Sequence, residues 1–152
     1  MPDYNGDNYK LQYVDKPSEK LPKGEAAGRV RSLVEHHTAA AAIQVGEKIL
    51  GPKIPASSLV VDAYVKISKS LGATGIFDLG FAANGVDAAD ADAFVKSADA
   101  GGQAVLQRSQ AGDVGILKRF TKETQTVLEC TEVMDGAVLD GVIEWVIFYV
   151  ND

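Results

Sequence analysis

Apolar residues recur along most of this chain at every second position, the period of a strand with one buried face. Leu59, Val61, Ala63, Val65 and Ile67 alternate with Val60, Asp62, Tyr64, Lys66 and Ser68. Phe77, Leu79 and Phe81 alternate around Asp78 and Gly80, and Ile43, Val45 and Ile49 do so more weakly. Val114 to Phe120 and Thr124 to Val133 continue the pattern, with Thr and Val suited to a half-buried pleat. In the run Val142 to Val150, Ile143, Trp145, Ile147 and Tyr149 share one face; Val142, Glu144, Val146 and Phe148 share the other. Apolar side chains on both faces predict a central strand. Glycine-rich breaks separate the runs at Gly72-Ala73-Thr74-Gly75, Gly101-Gly102, Ala111-Gly112-Asp113 and Asp135-Gly136, the last with the chemistry of a tight hairpin turn.

One stretch reads differently. From Asp87 to Ala100 the spacing of Phe94, Val95 and Ala98 fits a helix, with Asp87 as its cap and Asp90 and Asp92 near its positive end. Gly101-Gly102 would end it. About eight short strands with a single helix between them predict a mainly β fold, an antiparallel sandwich or jelly roll.

Residues 1–28 follow no period. They hold three of the five Pro (Pro2, Pro17, Pro22) and three of the five Tyr (Tyr4, Tyr9, Tyr13) among scattered Lys, Asp and Asn. Such a segment cannot bury enough surface to fold alone, yet it is richer in aromatics than a solvated linker requires. It is expected to be an extended N-terminal arm, hinged at Gly24–Gly28 and followed by a single sandwich domain over 29–152. The arm either packs on its own domain or lies across a neighbouring molecule. Tyr4, Tyr9, Lys10, Leu11, Tyr13, Lys16, Lys20, Leu21 and Lys23 are its expected contact residues.

Composition narrows the function by exclusion. Across 152 residues, 46% are hydrophobic, enough for a real core, and the formal net charge of −6 gives no attraction for nucleic acid or anionic membranes. No apolar run reaches the roughly 20 residues that span a bilayer; Glu144 interrupts the longest. The polar N-terminus has none of the features of a secretory signal. The single Cys130 sits in a strand-like run and reads as a buried thiol.

Candidate chemistry is sparse. Asp87, Asp90 and Asp92 invite a Ca²⁺ reading, but the EF-hand glycine is missing, and helix capping accounts for the same residues. His36 and His37 are adjacent, so on a strand they point to opposite faces and cannot chelate one ion. There is no nucleophile elbow, and Gly72–Gly75 is not followed by the Lys-Ser/Thr of a phosphate loop. Trp145 could serve a lectin as a sugar-stacking platform, but its hydrophobic surroundings point to the core. A non-enzyme without metal or cofactor is the expectation.

The order of segments is informative as a whole. "GPKIPASSLVVDAYVKI" is followed by "LGATGIFDLGF", the acidic Ala-rich "DAADADAFVKSADAGG" and a closing "EWVIFYV". In this order the chain resembles tailed-bacteriophage virion structural proteins of the head-decoration or capsid-stabilising (cement) type. The resemblance implies a β-sandwich or jelly roll that packs on a shell instead of catalysing a reaction. It also implies the major capsid protein as partner, a trimeric or dimeric homo-oligomer, and a place on the virion surface. No site residues come with it. A head–tail, tail or fibre component, and a lectin-like glycan-binding module, are the alternative readings.

Overall fold

A computed structural model describes residues 29–39, 43–69, 75–99, 105–110, 112–132 and 141–151. The expected arm, the Asp135-Gly136 turn and most of Gly72–Gly75 lie outside the described residues. Within them the chain forms nine strands: β1 (Val30–Thr38), β2 (Lys48–Ile54), β3 (Ser58–Lys69), β4 (Ile76–Phe81), β5 (Asp90–Asp99), β6 (Val105–Arg108), β7 (Arg119–Phe120), β8 (Thr124–Glu132) and β9 (Val142–Asn151). One sheet has the order β1-β9-β3-β6, with the two-residue β7 pairing with the start of β3; the other has the order β2-β8-β4-β5. Every pairing is antiparallel. The predicted mainly β, two-sheet antiparallel arrangement is therefore present.

The core lies between the sheets. From β9, Ile143, Trp145 and Ile147 are fully buried, as are Phe77 and Leu79 of β4, Phe94 of β5 and Leu128 and Cys130 of β8. Phe81 and Phe94, from one sheet, meet Phe120 of β7, from the other, with centroids 4.9 and 6.2 Å from that ring and edge-on geometry. Such aromatic contacts add about 0.5–1.5 kcal/mol per pair beyond area burial. Two glycines permit close approaches, Gly51 between the sheets and Gly80 between neighbouring strands of one sheet. A Cβ on Gly51 of β2 would fall 2.8 Å from Trp145 Cζ2 and Nε1, and one on Gly80 of β4 would fall 2.0 Å from the Asp90 carbonyl oxygen.

β9 is central, as its two apolar faces predict. β3 matches its predicted span but changes phase. Val60 pairs with Tyr149 and Asp62 with Phe148, so Val61 is an extra residue. The bulge turns Val60 inward with Ala63, Val65 and Ile67, and leaves Leu59 outside.

The expected helix from Asp87 to Ala100 is corrected: Asp90–Asp99 is strand β5. Its register against β4 slips twice, since Leu79 pairs with Val95 but Phe77 with Ala98, and Phe81 with Asp90. Ser97 takes φ 56° there, and its amide donates to Asp78 Oδ1 at 2.6 Å. That bulge buries Phe94, Val95 and Ala98 together, which is the i, i+1, i+4 spacing of a helix face made by an interrupted strand.

Two expected strands are shorter than their patterns. Over 114–117 the chain turns, and only Arg119–Phe120 pair. Leu117, at φ 61°, donates its amide to the Val60 carbonyl, and Asp113 Oδ2 accepts the Gln110 amide. Before β2, Gln44 and Glu47 close a turn, which the Gly46 amide ties to the Cys130 carbonyl at 2.8 Å. β1 and β6 went unmarked as separate runs in the sequence pattern.

Candidate binding face

The outer surface of the β1-β9-β3 sheet is built in rows. Strand pairing sets Val30 beside Val150 and Leu59, Ser32 beside Phe148 and Asp62, Val34 beside Val146 and Tyr64, and His36 beside Glu144 and Lys66. All these side chains project away from the core, because Leu33, Ile147 and Ala63, at the intervening positions, face it. The first three rows are mostly apolar. Val30 and Val34 are 60% and 61% exposed, and the Tyr64 and Phe148 rings lie 5.9 Å apart, tilted at 43°.

Charge closes the patch on two sides. Lys66 Nζ lies 3.5 Å from Glu144 Oε2 in the fourth row. At the β3 edge, Asp62 accepts from Arg108, from Ser109 Oγ (2.8 Å) and from the Ala63 amide (2.9 Å). Burial works against the Asp62 charge, but these donors outweigh it and hold the carboxyl below its usual range. A shallow groove of about 380 Å³ runs between Val34, Tyr64, Val146 and Phe148, with Ser32, Lys66 and Glu144 at its margins. An apolar centre with a polar rim is the anatomy of a protein-binding patch.

The outer face of the second sheet mixes charge with a smaller apolar groove of about 270 Å³ between Leu50, Val127, Ala89 and Ala91. Lys48 pairs with Glu129 at 3.2 Å and Lys53 with Glu123 at 2.8 Å; Leu50 stands exposed among them. Beyond β4, Asn84 folds the loop by accepting the Val86 and Asp87 amides on its Oδ1. Its Nδ2 donates to Asp87 Oδ2 (3.0 Å) and Thr124 Oγ1 (2.7 Å). Lys118 reaches Asp87 Oδ1 at 2.8 Å and sits over the Phe81 and Phe120 rings, 5.9 and 5.6 Å from their centroids. The bonds from Lys118 and Asn84 lower the Asp87 pKa.

The residues singled out from sequence are placed as follows. Trp145 is fully buried, so it is core and offers no sugar platform. Cys130 is buried too; desolvation, then the nearby Glu47 charge, push its thiol pKa up. His36 and His37 face opposite sides of β1, pairing with Glu144 and Ile143. Asp92 pairs with Lys96 at 2.7 Å, while burial and the neighbouring Asp92 carboxyl raise the Asp90 pKa. Among the described residues no three of His, Cys, Asp and Glu gather as metal ligands. The nine arm residues, Tyr4 to Lys23, lie outside the described residues. The apolar rows were missed in the sequence, although the second apolar face of Val142 to Val150 carried their signal.

No protein-family model and no curated protein matches the chain. Its fold is similar to that of solved structures. A chain from the capsid of Ralstonia phage GP4 matches with TM-score 0.69 and 17% identity, over 93% of this chain and 94% of that one. A chain from the capsid asymmetric unit of cyanophage Pam1 matches with TM-score 0.65 and 15% identity, over 92% and 99%. A chain from the acidic stable capsid of Helicobacter pylori bacteriophage KHP30 matches with TM-score 0.51 and 13% identity, over 80% and 93%. The fold is thus one found in chains of phage capsids.

Proposed function

We propose that this chain is a non-enzymatic structural protein of a phage virion, which binds the outside of the capsid lattice as a decoration or cement protein. The likeness in fold to chains of phage capsids, across nearly the full length of both chains, carries this reading. The outer face of the β1-β9-β3 sheet supplies what the role needs: an apolar centre that water leaves at low cost and charged margins that fix orientation. The partner would be the major capsid protein of a tailed phage, engaged by many equivalent weak contacts on a repeating surface. Tyr4, Tyr9, Tyr13 and the Lys residues of the arm would add contact area, and self-association into a dimer or trimer would match symmetric lattice positions.

Quantitative mass spectrometry of purified particles tests the role. A copy number of the order of the major capsid protein supports decoration or cementing. A handful of copies per particle would move the chain to a head–tail, tail or fibre position, and absence from particles would overturn a virion role. Val34→Asp, at the exposed β1 side of the apolar face, should leave the fold intact and lower occupancy on particles. Unchanged occupancy would remove this face from the binding reading.

A further inference from the structure

An open sheet edge exposes unpaired N–H and C=O groups, and most β proteins blunt such edges with bulges, Pro, Lys or short strands. Three of the four edges here are blunted. β2 carries Pro52, two Lys and a register break between Leu50 and Lys53. β5 is broken twice in register and holds Ser97 at positive φ. β6 is only four residues long. β1 has none of these devices: nine residues, Val-Arg-Ser-Leu-Val-Glu-His-His-Thr, pair without interruption from Val30↔Val150 to Thr38↔Val142. Among the described residues β9 is its one ladder partner.

The direction of that edge is also visible. The His36 amide is taken by the Glu35 carboxylate of its own strand at 3.0 Å, so it does not bond to β9. In an antiparallel ladder these groups alternate, which aims the amides and carbonyls of Ser32, Val34 and His36 at the open side.

We infer that β1 is the interface of a twofold dimer, pairing antiparallel with β1 of a second copy of this chain about Leu33. The strand's own charges select the occupant and the register. A twofold axis at Leu33 sets Arg31 opposite Glu35 of the partner subunit, and the same pair recurs across the axis; on pairing, Glu35 gives up its bond to the His36 amide, which then donates to the new ladder. Displacing the axis by one residue to Val34 would set Arg31 against a histidine and Leu33 against a carboxylate. Within one strand Arg31 and Glu35 are about 13 Å apart, at roughly 3.3 Å per residue, so they cannot satisfy each other. The pairing joins two sheets into one and sets Val34 opposite Ser32 of the partner subunit, so the row of Val34, Val146 and Tyr64 meets the row of Ser32 and Phe148 across the axis, an isologous contact that closes on itself. It is a property of the isolated chain and does not depend on a role in a virion.

The test is the association state of the full chain by sedimentation equilibrium, with far-UV circular dichroism as the check on folding. Wild type is expected at twice the 16.1 kDa of one chain. R31E opposes two carboxylates at both ends of the interface and E35R opposes two guanidiniums; each should weaken the dimer by about tenfold or more, from two cross-strand pairs changed in sign. R31E/E35R exchanges the charges and should return the affinity to within a few-fold of wild type. A monomer at high micromolar concentration overturns the inference. So does a dimer that both single variants leave intact, or a double variant that fails to recover, which would assign the edge to another occupant such as the chain's own N-terminal segment. None of these failures bears on the copy number in particles.

Discussion

Replacing Gly51 by alanine puts a methyl group where Trp145 of the opposite sheet already stands. The added Cβ would fall 2.6 Å from Thr126 Oγ1 and 2.8 Å from both Cζ2 and Nε1 of the indole, all shorter than carbon contacts tolerate. Neither neighbour yields easily. Trp145 is fully buried, and the Thr126 hydroxyl, equally buried, donates to the Pro52 carbonyl at 2.7 Å. β2 can move outward only by straining its ladder with β8. Overpacking of this kind costs about 1–3 kcal/mol, and 2 kcal/mol corresponds to about 4–8 °C in Tm for a chain of this length. Trp145→Phe removes the clashing part of the indole at its own cost of about 1–3 kcal/mol for the space left. In that background Gly51→Ala should be nearly neutral, because the methyl group fills the vacated volume. The two changes should therefore couple by at least about 1 kcal/mol, above the few tenths seen for independent sites. Urea titrations of the four proteins by far-UV circular dichroism measure this; Trp145 is the only tryptophan, so its fluorescence is lost in half the cycle. Additive costs would refute the account of Gly51 as the seat of the indole.

Three further outcomes follow from named contacts. Lys118→Met keeps the apolar stem but strips Asp87 of its cation and two rings of theirs, and should cost about 1–3 kcal/mol in urea. Ser97→Gly removes the penalty of a left-handed backbone from an exposed position, and should raise stability by about 0.5–1 kcal/mol in thermal melts, provided the Asp78 bond to its amide persists. The pH dependence has a definite sign. Asp62 and Asp87 titrate below their unfolded values, so their stabilisation is full above about pH 4 and disappears as pH falls through the folded values. Asp78 and Asp90 are raised, the first mainly by burial and the second by burial and Asp92, so they disfavour the folded state once ionised. Asp78→Asn should therefore raise Tm at pH 7 and lose that gain near pH 3.

What could be read from the sequence was the part of the fold where periodicity survives intact. β9 and β4 alternate without insertion on their core faces, β8 does so up to a register break beyond Cys130, and the predicted spans match. Bulges account for the failures. In β3 the extra Val61 reversed the facing of Val60, and in β5 the break at Ser97 counterfeited a helix face, aided by alanines and by aspartates that suit a cap. Single-residue insertions leave no mark on composition, and their hydrogen bonds, such as Asp78 to the Ser97 amide, join residues nineteen apart. β1 is a different case. As an edge strand it buries one face only in part, so its apolar contrast is weak along the chain.

The candidate face was hidden for a related reason, and the same reason makes it informative. No single strand carries it: Val34, Val146 and Tyr64 form a row only after β1, β9 and β3 are laid side by side in register. Along the sequence, the second apolar face of Val142 to Val150 predicts a strand covered on both sides. In the structure one side meets the opposing sheet. The other side meets no further layer among the described residues, although Val146 is buried within its row and Phe148 half-buried. A sheet that only had to fold could place polar residues at the exposed Val30 and Val34 at little cost, as the Lys48–Glu129 pair does on the opposite outer surface. Apolar side chains kept there, with ion pairs at the margins, are expected of a face that is covered in use. Lateral pairing of β1 would widen that face without covering it, so a dimer would carry a doubled patch to its partner.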